Sequence, residues 1–278
     1  MRCLLAVLFL LGAASVADAR PLTDGEPQPA LPAADAALPN TPGALAVELT
    51  ATVRALRAAE QRWDPATAVP RDVTYLALHH QRLLRRMAEG RQPGDAALAA
   101  LPRDVLGEAR DTVVARRSID AISRGRPPRV RVADAAPAAD VRSAYEQGQR
   151  RFGVHWSVLA AVNFVESAFG RVRSASEAGA RGPMQFLPST WRAYGLGGDI
   201  DDPRDAILAA ANYLSRAGAR ENLDQALFAY NHSSAYVRAV RRFAARMRAD
   251  ERTFLTYYAW QVYVRTPSGS RRITGPGV

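Results

Sequence analysis

Glu166 stands near the end of an apolar stretch with helical spacing, Ala160-Ala161-Val162-Asn163-Phe164-Val165-Glu166-Ser167-Ala168-Phe169. An ionised carboxylate is costly to take out of water without a partner. A carboxyl in such surroundings holds its proton to higher pH and can act as a general acid towards a polar bond. Taken alone, a glutamate on a helix is more often a solvated surface residue. Two later segments shift that balance. Gly179-Ala180-Arg181-Gly182-Pro183-Met184-Gln185-Phe186 is a glycine-rich turn, where backbone can approach a ligand closely. Its Gln185 carries both a donor and an acceptor, suited to hydroxyl and amide groups. Ala229-Tyr230-Asn231-His232-Ser233 closes a helical run and offers an apolar ring face beside several hydrogen-bonding groups. The plainer readings are a turn with a buried Met184 and Phe186, and a helix C-capped by Asn231.

The elements that must position these residues are helical. Apolar positions recur at helix spacing from Ala44 to about Trp63, from Arg71 to Glu89, and from Arg103 to Ser123. Further helices are expected over Ala138–Phe152, ended by Gly153, and over His155–Phe169, which carries Glu166. A loop follows over Gly170–Pro188. A short helix from Ser189 to Tyr194 has Ser189 near its N-cap. Asp202-Pro203 reads as an N-cap followed by proline at the first helical position, opening a helix to Leu214. Leu223–Tyr230 and Ser234–Met247 complete the set, and Thr253–Val264 reads as helix or strand. The arginines 238, 241, 242, 246 and 248 read as a solvated helix face. Strand signals are sparse, so the fold class is mainly α.

Glu166-Ser167, then Gly179 to Trp191 (GARGPMQFLPSTW), then Tyr230-Asn231, taken in that order, resemble the lytic transglycosylases of the lysozyme-like superfamily. Gly198-Asp199-Ile200, Asp202-Pro203, Asp205-Ala206-Ile207 and Ala211-Asn212-Tyr213 are most similar to the membrane-bound transglycosylase B branch, whereas the Glu-Ser pair is similar to the soluble branch. The likeness covers about residues 140 to 250. It implies a lysozyme-like α domain, with Glu166 as the one catalytic acid and base. Ser167, Gly182, Met184, Gln185, Tyr230 and Asn231 would then serve as substrate-binding residues. The implied reaction cleaves the β-1,4 bond between N-acetylmuramic acid and N-acetylglucosamine and leaves a 1,6-anhydro end. A hydrolysing muramidase on the same scaffold would want a second carboxylate, for which Asp199 and Asp201 are the candidates. A peptidoglycan-binding module without catalysis is the reading from another class.

Composition bounds the setting. The 278 residues suffice for one or two domains, and the net charge of +10 implies an anionic partner. Residues 1–19 have the order of a secretory signal: basic Arg2, apolar Leu4–Ala14, and Ala17-Asp18-Ala19 as a cleavage site. Export to a periplasmic or extracellular, wall-associated location argues against nucleic acid and for peptidoglycan glycan strands. The one cysteine, Cys3, lies in that signal, so the mature chain has no disulfide and no thiol ligand. No later stretch has the length of a membrane span. No metal or cofactor is expected: the Asp199–Asp205 cluster fails the EF-hand spacing, and His79-His80 lacks the His-Glu-x-x-His pattern. The expected organisation is a signal (1–19), a disordered linker (20–43), a helical N-terminal region (44–124), a connector (125–139), the lysozyme-like domain (140–265) and a loose tail (266–278). Oligomeric state is left open by the sequence.

Overall fold

The computed structural model describes residues 30–122, 130–266 and 269–278. The signal pattern, the first part of the linker and Pro127-Pro128 lie outside the described residues. From Leu31 to Val278 the chain forms one compact unit. It is mainly helical, as the periodicity predicts.

Three N-terminal helices, α1 (Pro42–Glu60), α2 (Arg71–Glu89) and α4 (Arg103–Ile122), occupy the three periodic runs. Their apolar faces meet through Leu49, Val53 and Leu56 of α1 and Val73, Leu83 and Met87 of α2. A further helix, α3 (Arg91–Ala99), falls between the periodic runs, where the sequence reading has no element. Proline is tolerated in a first helical turn. Gly94 is needed because a Cβ there would lie 1.9 Å from the Met87 carbonyl oxygen.

Next come α5 (Ala138–Phe152), α6 (Trp156–Ser167), α7 (Pro188–Tyr194), α8 (Pro203–Arg216), α9 (Leu223–Tyr230), α10 (Ser234–Ala249) and α11 (Arg252–Tyr258). Helix α6 is the buried axis. Leu159, Ala160, Ala161 and Val162 are wholly inaccessible, and α5, α8, α10 and α11 surround it. A helix apolar on all sides is a core helix, and this one carries Glu166 at its last turn. Asp202 caps α8 by accepting from the Asp205 amide at 2.9 Å, with Pro203 in the first turn. The short α7 departs from expectation. It starts at Pro188, and Ser189 lies within its first turn instead of capping it.

Two other expectations are corrected, and one left open is resolved. The end of the supposed linker is ordered: Leu38 packs on the core, and the Thr41 hydroxyl caps α1 through the Ala44 amide at 3.3 Å. The segment 253–264 is both helix and strand, since α11 is followed by β1 (Tyr263–Thr266). The tail beyond is not loose. Strand β2 (Gly269–Arg272) pairs antiparallel with β1, Tyr263 opposite Arg272, and the Thr274 hydroxyl accepts from the Val262 amide at 2.8 Å. Its sequence is polar because these strands lie at the surface, where the ladder and not a core face holds them.

The arginines of α10 are also more than a solvated face. Arg242 and Arg246 both pair with Asp111 of α4, at 2.5 and 2.8 Å, and Arg241 pairs with Asp224 of α9. Helix α10 thus clamps the N-terminal layer to α6, burying Ala239, Val240, Phe243 and Met247 between them.

Candidate functional site

The end of α6 is set by an abrupt reversal. Ala168, Phe169 and Gly170 all take positive φ, at 52°, 62° and 85°. The first two are not glycine, and each such residue costs roughly 1–2 kcal/mol. Burial of Phe169 offsets this. Its ring stacks on Phe164 at 5.2 Å and meets Phe254 edge-on at 5.5 Å. Phe164 in turn stacks on Tyr257 at 5.4 Å. The aromatic C-terminal segment, which lies outside the recognised motifs, is therefore the floor beneath the Glu166 turn.

Glu166 itself keeps a part of its surface open while the rest is enclosed. Burial raises its pKa from 4.5 to about 7, and a hydrogen bond from Tyr236 lowers it in part. The Tyr236 hydroxyl donates to Glu166 Oε1 at 2.7 Å. Burial holds that phenol well above its ordinary pKa, so it remains a donor. No carboxylate or cation among the described residues stands close enough to move Glu166 further. With Oε1 held, Oε2 is the oxygen left to carry a proton outward. The arrangement suits a general acid at neutral pH.

Tyr236 is the site residue that sequence reasoning missed. It lies on α10, five residues after Asn231, among alternating arginines and apolar residues that read as an ordinary amphipathic helix. Only packing brings it to Glu166. A sequence signal exists only in hindsight: a tyrosine on the buried face of α10, where the neighbouring buried positions are aliphatic or alanine. Its role gives an early test. The Tyr236→Phe variant is expected to lose about tenfold in kcat, as befits a lost hydrogen bond to a charged group. The alkaline fall in rate, near pH 7 in the wild type, should move upward, because the bond that stabilised the carboxylate is gone. A pH–rate profile checks this, and an unshifted alkaline limb would leave Tyr236 as mere packing.

The other sequence candidates divide. Tyr230 is half-buried in a ring cluster near Glu166. It stacks parallel to Tyr236 at 6.5 Å and meets Phe186 and Tyr213 edge-on. Its hydroxyl donates to the Met184 carbonyl at 2.6 Å. Asn231 ends α9 half-buried, and its side-chain amide has no partner among the described residues. Gln185 is half-buried with φ of 51°. Its amide nitrogen donates to the Gly182 carbonyl at 3.0 Å, and its amide oxygen has no partner among the described residues. Asn231 and Gln185 therefore retain the hydrogen-bonding capacity a ligand would use.

Ser167 and the Met184 side chain are buried, and Gly182 is half-buried. Ser167 is buried, its hydroxyl donating to the Pro183 carbonyl at 2.5 Å and accepting from the Gly170 amide at 2.8 Å. It is a clip between the α6 turn and the loop. Asn163, also buried, reinforces the clip. It donates to the same Pro183 carbonyl at 2.7 Å and accepts from the Tyr145 hydroxyl at 2.6 Å. Gly182 packs against the 199–201 loop, since a Cβ there would lie 1.9 Å from the Ile200 carbonyl oxygen. The Met184 side chain is wholly buried, and what it supplies is a carbonyl for Tyr230. The loop is thus a fixed platform, pinned at carbonyls 183 and 184 from opposite sides and closed by the Arg181–Phe186 bridge.

Asp199 and Asp201 are committed elsewhere. Asp199 Oδ1 accepts from the Asp201 amide at 2.9 Å, and Asp201 pairs with Arg181 at 2.9 Å. Asp205 accepts from the Asp199 amide at 2.9 Å. These bonds account for the acidic cluster as a loop and helix-start device.

Residues 143–252 match the family described as the transglycosylase SLT domain. Two curated relatives are also similar to the chain. The membrane-bound lytic murein transglycosylase F of Thiobacillus denitrificans is 29% identical over 119 residues, 40% of this chain and 25% of the relative. The membrane-bound lytic murein transglycosylase F 1 of Alkalilimnicola ehrlichii is 30% identical over 158 residues, 51% of this chain and 31% of the relative. The chain spans about a quarter to a third of the length of these relatives. Both carry the F designation, not that of the B branch. No solved structure matches.

Proposed function

We propose that this chain, whose residues 143–252 are a transglycosylase SLT domain of the lysozyme-like superfamily, cleaves peptidoglycan between N-acetylmuramic acid and N-acetylglucosamine and leaves 1,6-anhydromuramic ends. The observation that carries the reading is Glu166. It is a partly enclosed carboxyl, protonated up to about pH 7, oriented by one phenol and with no second carboxylate among the described residues acting on it.

Protonated Glu166 gives its proton to the glycosidic oxygen as the bond to C1 of the muramyl residue breaks. The N-acetylglucosamine hydroxyl leaves, and the substrate's acetamide oxygen stabilises the cation at C1. Glu166, now a carboxylate, takes the proton from the muramyl C6 hydroxyl. The C6 oxygen then closes on C1, and Glu166 is protonated again for the next turn. One carboxyl serves as acid and then base. Tyr236 holds Oε1 through both steps. Gln185 and Asn231 supply hydrogen bonds to hydroxyl and acetamide groups, and Tyr230 offers a ring face.

The rival hydrolysis needs a carboxylate placed to activate water or to attack C1. Asp199 and Asp201, the residues available for that part, are taken up by backbone amides and by Arg181. The N-terminal signal pattern and the basic charge support an exported protein that acts in the wall space. Among the described residues no helix is long and apolar enough to cross a membrane.

Mass spectrometry of sacculi digested by the purified protein tests the reading. Anhydromuramyl ends are expected. Reducing muramic ends would make the protein a muramidase, and binding without release would leave a wall-binding module.

A further inference from the structure

A hollow of about 440 Å³ opens at the loop that follows Glu166, lined by Arg131, Val132, Arg173, Ala175, Arg181 and Asp201. Three separate segments bring the three arginines together. Their backbones are tied to the residue that follows Glu166. The Val172 amide donates to the Ser167 carbonyl at 3.0 Å, and Val172 bridges Val132. The Ser167 hydroxyl holds Pro183, two residues beyond Arg181. The strips are also tied to each other: the Arg173 amide donates to the Arg131 carbonyl at 2.9 Å, and the Arg131 amide to Ser174 Oγ at 2.7 Å.

Arg181 pairs with the carboxylate of Asp201. Arg173 donates to the Asp134 carbonyl at 3.2 Å. Among the described residues neither Arg131 nor Arg173 pairs with a carboxylate. Three guanidiniums gathered in a concave site against one aspartate repel each other and focus a positive potential. A row of solvated arginines on one helix would need no such convergence. The hollow falls within the usual size range of small-ligand sites. Val132 and Ala175 give it an apolar patch among the forks.

We infer that this hollow receives the carboxylates of the short peptide that a muramyl residue carries, an inference that rests on the murein-cleaving reading above. Planar guanidinium forks match carboxylates in pairs. A glycan seated at Glu166 brings its own peptide along on a short covalent tether, at high effective concentration. A phosphate on a separate wall polymer has no such tether. The hollow therefore sorts glycan strands by whether they still bear peptide.

The test compares the wild type with the double variant Arg131→Ala/Arg173→Ala. Both residues are exposed, so the fold should hold, and thermal melting checks that. The substrates are murein glycan strands bearing tetrapeptides, and the same strands stripped of peptide by an amidase. The variant is expected to raise KM about tenfold on peptide-bearing strands, with kcat unchanged. Stripped strands should show no difference. An equal change on both substrates, or none on either, overturns the inference. A second readout does not depend on cleavage. Free tetrapeptide titrated into the wild type, followed by calorimetry, should bind. It should lose that binding in the double variant and when its carboxylates are converted to amides. Peptide binding by a wild type that cuts no strand would sink the catalytic reading and leave the hollow standing. Cleavage with no arginine-dependent binding and no preference for peptide would sink the hollow alone.

Discussion

The Glu166→Gln protein should fold like the wild type and release glycan from sacculi at least about a thousandfold more slowly, a loss within the range of general acid–base catalysis. The amide oxygen can still accept from Tyr236, so the geometry is kept while the transferable proton is lost. Stability gives an independent check with a definite sign. Burial raises the folded-state pKa of Glu166 from 4.5 to about 7. Between those values the folded protein keeps a proton that the unfolded chain gives up. Stability is therefore full below the unfolded pKa and declines as pH rises through the window. Glutamine has no charge to bury. The two proteins should melt alike near the acid end of this window, and the variant should melt higher by several degrees at pH 8. A variant that melts lower at pH 8, or that still cuts murein, would contradict the buried-acid assignment.

The Gly182→Ala variant should be nearly as damaging, for a different reason. Gly182 has φ of 74°, and a Cβ would sit 1.9 Å from the backbone oxygen of Ile200. Ile200 cannot retreat cheaply. Asp199 is tied to Asp205 and Asp201, and the Asp202 amide closes the turn onto the Asp199 carbonyl at 3.2 Å. Backbone strain and overpacking together should cost roughly 3 kcal/mol. The platform that carries Gln185 and the 183 and 184 carbonyls would shift. Activity measured well below the melting temperature should thus fall far more than the folded fraction does. Gly179→Ala is the control. It has φ of 79°, but a Cβ there meets nothing within 4 Å. It should cost only about 1 kcal/mol and leave the rate near wild type. Equal damage from both substitutions would mean that strain in φ, and not the close approach to Ile200, is what matters at this loop.

The boundaries of α2 and α5 and the start of α8 could be read from the chain because local signals coincide there. The apolar period, Gly153 in the left-handed conformation after α5, and Asp202-Pro203 before α8 all act within one turn of the residues they end or begin. Helix α3 could not be read. It is short and carries Pro93-Gly94, whose glycine is fitted to a close approach to the Met87 backbone, a tertiary contact. The β hairpin at the C-terminus was hidden for a similar reason. A polar strand has no core period, and its evidence is the partner strand.

For the site, the sequence by itself determined which residues are present. Glu166 ends a helix that must be buried, because nearly every other residue in it is apolar. Gly179 to Phe186 must turn, and Tyr230-Asn231 must end a helix. What surrounds each one was decided by tertiary structure. Ser167 and Gly182 read as ligand contacts in the sequence, and the fold also gives each an internal fastening, because hydroxyls and glycines serve a buried backbone as readily as a sugar. Tyr236 looked like one more residue of an amphipathic helix. It became the partner of Glu166 only because α10, clamped to α4 by Asp111, lays that face against α6. A chain specifies its own turns and periods through contacts between near neighbours. A proton's environment depends on groups 70 residues apart, and packing alone brings those together.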